Sequence, residues 1–438
     1  MSQATIDETG EQATVLDHAL APHFAALSRF DSTRALKSSP LYARLQPEIE
    51  RILNSVAQEN FADADSARMT TGRGAIRATA WNIERGKRLA GIIAALEAHA
   101  VLRASDVLLL TELDYGMART GNRFVAREIA ASLKLNYVFA PCYIALNKGS
   151  GLESEVEGEN ALALHGNALF SRHPLRRAHS LALPNGKDKM RGKEKRLGSQ
   201  RAVVADVEHP SGAFRAVSLH LDAHSTQTHR ARQMRLVLGH LATLKPELPT
   251  LIGGDWNTTT YNSRRATYAI LGYFRRVAMG VRRVVENHYP HPDRWFERKL
   301  FREIERHGFV YRELNAAGAG TLHYDVTDIA TNTSLGDWVP AWCFPFITWA
   351  LAGHEGRCSL KLDWFAGRGV RPVAPPQVVG DLRDDAGALS DHDVGSHISG
   401  QQHHPLCRLG ELLAHETANR RLATQQSSAS CGHASTGG

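Results

Sequence analysis

From Ile76 onward the chain alternates short apolar runs with stretches of helical periodicity, and one apolar run after another ends on a polar residue. Ile76 to Trp81 reads as a strand and Asn82 follows it. Gly91 to Leu102 has apolar residues at helical spacing. Val107 to Thr111 is an unbroken apolar run that predicts a buried strand, and Glu112 ends it. Asn122 to Leu133 predicts a helix, and Asn167 to Ser171 a short strand. Arg201 to Glu208 and Phe214 to Leu219 flank His209-Pro210-Ser211-Gly212, a hairpin signal, and His220 ends the second run. Thr226 to Leu244 predicts a helix. Thr250 to Gly253 is apolar again, with Gly254-Asp255 after it. Ser359 to Phe365 predicts a strand carrying Asp363, and Ser390-Asp391-His392 comes later.

The flanks differ. Residues 1–73 predict a helical extension and linker, with helix-like spacing over Val15 to Phe30 and Leu41 to Val56 and a polar, Gly-containing stretch from Asp63 to Gly74. Residues 74–400 form the patterned domain. Residues 401–438 predict a C-terminal helix and tail, rich in Arg, Gln, Ser and Gly from Thr417 and disordered by composition. No internal repeat is present.

Composition narrows the classes. The chain has 438 residues, 43% hydrophobic and 22% charged, which is ordinary for a globular protein with ample core. A formal net charge of +7 suits an anionic substrate without establishing nucleic-acid binding. Five scattered cysteines without a CxxC pair predict reduced thiols and a cytoplasmic protein. The first residues lack a basic and apolar leader pattern, so no signal peptide is expected, and no apolar run is long enough to predict a membrane span.

A buried strand that stops on an acid or an imidazole carries a cost unless that group is paired or bound to metal. Repeating the pattern gathers polar groups at one edge of a sheet. There, Asn, Glu and Asp oxygens can surround a hard cation, and His can move protons.

The motifs, in order, are Trp81-Asn82-Ile83, Leu110-Thr111-Glu112-Leu113-Asp114, His165-Gly166-Asn167-Ala168-Leu169-Phe170-Ser171-Arg172, Ser218-Leu219-His220-Leu221, Arg232-Gln233, Gly254-Asp255-Trp256-Asn257, Leu362-Asp363-Trp364 and Ser390-Asp391-His392. With this ordered set, covering roughly Ile76 to His397, the chain resembles the endonuclease/exonuclease/phosphatase superfamily with its deoxyribonuclease-I-like fold. The resemblance implies an α/β sandwich, two packed mixed β-sheets flanked by helices in four layers. It implies a divalent-metal-dependent phosphoesterase: a nuclease, phosphatase or phosphodiesterase using one or two Mg²⁺ or Mn²⁺ ions. Glu112 would be the principal metal carboxylate, with Asn82 and Asp391 beside it. His392 would be the general base that activates water, oriented by Asp363. Asp255 and Asn257 would position water, phosphate or a second metal. His220 would donate to a phosphate oxygen, and Asn167 would bind substrate.

The chain departs from the family pattern at Trp256, where Phe is usual, and after His392, where Asp393-Val394 lacks the usual proline. The stretch between Asn257 and Asp363 is longer than the family needs and predicts an insertion over roughly 260–357, where substrate choice would reside.

Some features remain open at this level. Asn167 could pack a strand edge, and Arg232-Gln233 could be a contact between elements. The basic run Lys187 to Arg196 is either a solvated loop or an electrostatic guide for polyanions. The Trp-rich segment Trp338 to Leu351 either packs under the insertion or forms an apolar lip for a lipid headgroup ester or a nucleobase. The expected partner is a phosphoester substrate, either nucleic acid or a lipid or inositol phosphate. The alternative class is a catalytically silent binding or scaffold protein on the same fold. His220, Asp222 and His224 alternate and could form a separate metal site, but the His-x-His-x-Asp-His run of metallo-β-lactamase-like hydrolases is absent.

Overall fold

Val107–Tyr115 lies in the middle of the larger sheet, a buried strand as its unbroken apolar run predicts, with Val107 to Leu110 covered on both faces. The structure is a computed structural model that describes residues 15–63, 75–223, 225–258, 262, 266–326, 344–379 and, as backbone, 402–408. In chain order its strands begin with β1 (Ala57–Glu59), β2 (Ala75–Arg85), β3 (Val107–Tyr115), β4 (Asn136–Ala145) and β5 (Leu164–Ser171). They continue with β6 (Leu175–Ala182), β7 (Arg196–Gly198), β8 (Arg201–Val207), β9 (Phe214–Leu219) and β10 (Thr250–Asp255). The last are β11 (Leu322–Asp325), β12 (Arg357–Leu360), β13 (Asp363–Arg368), β14 (Arg371–Val379) and β15 (Gln402–Arg408).

The larger sheet has the order β1-β4-β5-β3-β2-β15-β14, with β7 also paired to β4; the smaller has the order β13-β10-β9-β8-β6. Both are mixed. The parallel pairs β2–β3 and β9–β10 are each joined by a crossover helix, Leu89–Ala98 and Gln227–Thr243. The hairpin predicted around His209 is the antiparallel β8–β9 turn.

Strand alternation divides the core into layers. Val107 and Leu109 face the smaller sheet, where they meet Val203, Ala205, Phe214, Ala216 and Phe365. Leu108 and Leu110 face outward, under the Leu89–Ala98 and Val125–Leu133 helices. On the other side, Val217, Leu219 and Ile252 pack under the Gln227–Thr243 helix and the Arg298–Arg306 helix of the insertion. The result is a four-layer α/β sandwich.

The N-terminal extension covers the outer face of the larger sheet. Its main helix, Pro40–Asn54, starts where Ser39 Oγ accepts from the Tyr42 amide at 3.1 Å and Pro40 fixes the first turn. Tyr42, Ile49 and Ile52 are buried in the cluster that holds Phe139 and Leu197. Beyond this helix, β1 joins the sheet edge at β4, an edge strand too short to register as a pattern.

One expectation changes, and two open readings gain detail. The C-terminal region expected to be a helix and tail begins as a strand, β15, inserted between β2 and β14, where β2 gains a second ladder of backbone hydrogen bonds. The end of the Trp-rich segment is a helix, Phe344–Leu351, whose Phe346 and Trp349 are exposed (50% and 67%) rather than packed under the insertion. Trp338 and Trp342 lie outside the described residues. The basic run is solvated only in part: Lys187, Arg191 and Lys193 are exposed, and the others are tied down. Lys195 donates to the carbonyls of Ser28 and Phe30, Lys189 pairs with buried Asp222 at 3.1 Å, and Glu194 bridges Arg119 and Arg196. Among the described residues no helix is long and apolar enough to cross a membrane.

The sheets approach closely at β10. A Cβ on Gly253 would lie 2.5 Å from the Phe365 ring and 2.7 Å from Leu109 Cδ1. Gly239, in the Gln227–Thr243 helix, has open space where a Cβ would go. Gly253→Ala is therefore expected to destabilise the fold by about 1–3 kcal/mol through overpacking. Gly239→Ala is expected to stabilise it by about 0.5–1 kcal/mol through helix propensity. Urea denaturation of the two variants checks both signs, and equal midpoints would contradict the packing argument.

Candidate active site

The polar residues that end the apolar runs meet at one end of the sandwich. Asn82 comes from β2 and Glu112 from β3 of the larger sheet. His220 follows β9, Asp255 ends β10 and Asp363 begins β13 of the smaller sheet. Asp255 and Asp363 are direct cross-strand partners. Asn257 follows two residues after Asp255.

Glu112 sits where the β3 ladder breaks. The register with β5 shifts between Leu110 and Leu113, and Glu112 takes a left-handed conformation (φ 59°). A non-glycine residue there is uncommon and marks a bulge that re-aims the side chain. Asn167 Oδ1 accepts from the Glu112 amide at 3.3 Å, while Asn167 Nδ2 donates to the Arg201 carbonyl at 2.9 Å. Asn167 is thus buried and fastened to the bulge on one side and to β8 on the other.

Asn82 joins the sheets. Its Nδ2 donates to Glu112 Oε1 at 3.1 Å and to Asp255 Oδ2 at 3.0 Å. His220 Nε2 lies 3.8 Å from Glu112 Oε1 and 3.7 Å from Asp255 Oδ2. Asn257, also left-handed (φ 51°), donates from its amide to Asp255 Oδ1 at 2.8 Å and from Nδ2 to the Leu221 carbonyl at 3.0 Å; Nδ2 is 2.9 Å from His220 Nε2. The glycine before Asp255 is required by geometry. Gly254 has φ 137°, and a Cβ on it would lie 2.2 Å from the Leu219 carbonyl oxygen.

Charge is unevenly handled across this group. Burial pushes the Glu112 carboxyl up, but His220, Arg85 and His165, with the Asn82 hydrogen bond, outweigh it and hold Glu112 at about 2. Burial and then the like charge of Asp255 push Asp363 well above the usual carboxylate range. The Asp363 amide donates to Thr321 Oγ1 at 3.0 Å, whereas its buried Oδ1 has no hydrogen-bond partner among the described residues. Beside it, burial pushes the Lys361 ammonium down to about 7; Lys361 Nζ donates to the carbonyls of Ala316 and Ala319.

Sequence reasoning missed the cationic flank. Arg85 pairs with Glu153. Arg119 pairs with Asp114 (2.7 Å), Glu153 and Glu194 (both 3.1 Å), and His165 Nδ1 is 2.8 Å from Asp114 Oδ1. These residues come from three strands and the segments between them, so no spacing announces them. Arg232-Gln233 resolves into two roles. Gln233 is buried, accepting from the Asp222 amide and donating to the Pro184 carbonyl, while Arg232 is exposed. Asp222 is committed to Lys189 and the Gly186 amide, and His224 lies outside the described residues. Trp256 is wholly buried against Phe301 and Trp364, so the larger ring anchors the insertion to the smaller sheet. Asp391 and His392 lie outside the described residues.

Glu112 and Asp255 offer carboxylate oxygens, which suit a hard divalent cation; Asn82 turns Nδ2 towards them, and its Oδ1 accepts from the Glu84 amide at 3.0 Å. A second cluster, Asp106, His173 and His209, lies at the other end of β3; one ligand atom of each lies within 4.8 Å of the others. There His209 Nδ1 accepts from the Ser211 amide at 3.1 Å, which places the proton of a neutral ring on Nε2 and withholds that lone pair from a cation.

The structure of an endonuclease/exonuclease/phosphatase from Beutenbergia cavernae DSM 12333 is 18% identical with a TM-score of 0.42, and the match covers 77% of this chain and 72% of that one. One from Bacteroides vulgatus is 12% identical with a TM-score of 0.43, covering 77% and 100%. A 3′-5′ exonuclease from Neisseria meningitidis is 14% identical with a TM-score of 0.40, covering 75% and 98%. No curated protein matches the sequence. The model of the endonuclease/exonuclease/phosphatase family matches residues 79–392, more than half of the chain and spanning every strand-end residue described above, and the protein belongs to that family.

Proposed function

We propose that this protein hydrolyses phosphoester bonds in a divalent-metal-dependent reaction. The observation that carries the reading is the junction itself: Asn82, Glu112, His220, Asp255 and Asn257 converge from both sheets, with Glu112 aimed by a left-handed bulge. Members of the family are mostly hydrolases of phosphoester bonds.

Glu112 and Asn82, with Asp391, would hold Mg²⁺ or Mn²⁺. When bound, such an ion draws charge from the phosphoryl oxygens and so stabilises the transition state. The chain's own groups carry the remaining work. Glu112, held at about 2, stays ionised at neutral pH and presents a full charge. Asn257 Nδ2 donates towards His220 Nε2 and fixes the ring; once that nitrogen is released and protonated, His220 stands where it can donate to a non-bridging oxygen. Asp255 and Asn257 position water and phosphate. His392 acts as general base, and Asp363 orients it. The unpartnered Asp363 Oδ1, and the shift that burial and Asp255 impose on this carboxyl, favour a hydrogen-bonded cationic partner at that atom. Asn167 supports the bulge from behind, a positioning role in place of the substrate contact expected from sequence.

The primary test is turnover of a generic phosphodiester by purified protein. EDTA should abolish it, and Mg²⁺ or Mn²⁺ should restore it; undiminished activity in EDTA would reject the metal-dependent reading. Glu112→Gln keeps the shape of the side chain and removes its charge, and should lower kcat by at least roughly 10²-fold. His220→Gln should lower kcat by roughly 10²–10³-fold with circular dichroism unchanged. Full activity in Asp255→Ala or His392→Ala would sink the site assignment. A panel of DNA, RNA, inositol phosphates and sphingomyelin separates the substrate classes.

A pH experiment probes the same carboxylate. The folded-state value of Glu112 lies below its ordinary 4.5, so its contribution to stability is complete above about pH 4.5 and is lost as pH falls through about 2. In EDTA, Glu112→Gln should flatten the loss of stability over that window. An acid limb that matches the parent protein would show that the flanking cations do not hold the carboxylate.

A further inference from the structure

Exposed large apolar side chains are concentrated in the insertion. Of the ten among the described residues, seven lie between Tyr268 and Trp349: Tyr268, Leu271, Phe274, Trp295, Val310, Phe346 and Trp349. Tyr268, Leu271 and Phe274 recur every three residues on the Ala266–Ala278 helix and share one side of it. Phe346 and Trp349 do the same on Phe344–Leu351. The two helices are fastened together, Tyr273 Oη donating to the Phe346 carbonyl at 2.7 Å. Scattered exposed apolar residues are normal, but a patch this concentrated marks an interaction surface.

Charge decides what covers it. Residues 266–295 hold Arg275, Arg276, Arg282, Arg283 and Arg294 against two acids, Glu286 and Asp293. Arg275, Arg282, Arg283 and Arg294 are exposed, and the Arg283 guanidinium lies 5.9 Å from the centre of the Trp295 ring. Short helices with aromatic and aliphatic residues on one side, fringed by arginine, match the chemistry of an anionic lipid interface. The apolar side chains enter the headgroup and acyl boundary, and the arginines stay among the phosphates. A stacking surface for single-stranded nucleic acid would use aromatic rings and basic groups and would have no use for Leu271.

We infer that the Ala266–Ala278 and Phe344–Leu351 helices dock the protein on the surface of an anionic phospholipid bilayer. The inference is independent of catalysis, because none of these residues lies in the catalytic group. The insertion is rooted next to that group, through Trp256, Phe301 and Trp364. Docking would therefore bring the active site close to lipid headgroups.

The test is co-sedimentation of the full chain with sucrose-loaded vesicles, either of phosphatidylcholine alone or of equal parts phosphatidylcholine and phosphatidylserine. The chain should pellet with the phosphatidylserine vesicles, and less so as salt is raised. The double variant Phe274→Ser/Trp349→Ser should lower the partition coefficient by roughly tenfold or more. Arg282→Glu/Arg283→Glu should abolish the preference for phosphatidylserine. Both variants alter exposed side chains, and unchanged turnover of the soluble phosphodiester would show that the fold and the catalytic group are intact. Three results overturn the inference: the parent chain stays in the supernatant with both vesicles, the variants pellet as the parent does, or the same substitutions instead weaken single-stranded DNA binding or a self-association seen by sedimentation equilibrium.

Discussion

One carboxamide links the two sheets where their charges are densest. Asn82 Nδ2 lies within hydrogen-bonding distance of Glu112 Oε1 and Asp255 Oδ2, which come from different sheets. Two carboxylates that share one donor repel each other, and partial burial deepens the repulsion because less water screens it. The junction holds because each carboxylate has its own compensation. Glu112 has the Arg85 and His220 side, and stays ionised. Asp255 has the Asn257 amide, which donates to its Oδ1 at 2.8 Å; Asp363, directly across the strand from it, meets burial and a like charge and shifts the opposite way from Glu112. The same crowd of acids therefore offers one carboxylate fixed in its charged form and another whose protonation depends on what approaches it. That is the division of labour expected when one group holds a cation and another manages a proton.

This junction depends on how near the sheets come. Gly253 allows the Phe365 ring and Leu109 to fill the space a side chain would take, and Gly254 lets β10 pass against the Leu219 carbonyl with a backbone geometry other residues adopt at a cost. The two consecutive glycines before Asp255 thus set the spacing, and Asn257 locks the turn after it. Glu112 contributes the complementary distortion from the other sheet. Strain of this kind persists where the surroundings over-determine it. Here Asn167 does so, joining the bulge to β8 through two hydrogen bonds.

Much of the sandwich is legible in the sequence because its strands are buried on both faces and read as apolar runs. The residues that end those runs are legible for the same reason. Asn82, Glu112, His220 and Asp255 each interrupt a pattern that burial would otherwise continue. What escapes is whatever depends on tertiary approach alone. The arginines and acids flanking Glu112 lie on elements tens of residues apart, and a list of charges cannot say which pairs close. The short β1 adds an edge to the larger sheet and the returning β15 extends it past β2, neither with a long enough pattern. Asn167 is legible as a polar residue in an apolar strand, but only the structure shows its attachments to the Glu112 amide and the Arg201 carbonyl. Trp256 reads as an odd substitution in a motif and turns out to be the root of the insertion. Asp391 and His392 rest on their motif alone.

The two ends of β3 separate structural from chemical polarity. Asp106 stands at one end and Glu112 at the other, each beside histidines. At the first, Asp106 Oδ2 accepts from the Arg77 amide at 2.7 Å, tying adjacent strands in ordinary geometry, and His209 directs its lone pair to a local backbone amide. At the second, the carboxylate faces side chains from both sheets, its backbone is left-handed, and part of its surface remains open (23% of the side chain). A purely structural acid gains nothing from a strained backbone or from access to solvent. A ligand or reactant needs the access, and the strain is the consequence of aiming the group there. The asymmetry along a single strand therefore separates the two ends more firmly than the number of polar residues at either, since both collect acids and imidazoles and only one of them holds an acid out of regular geometry.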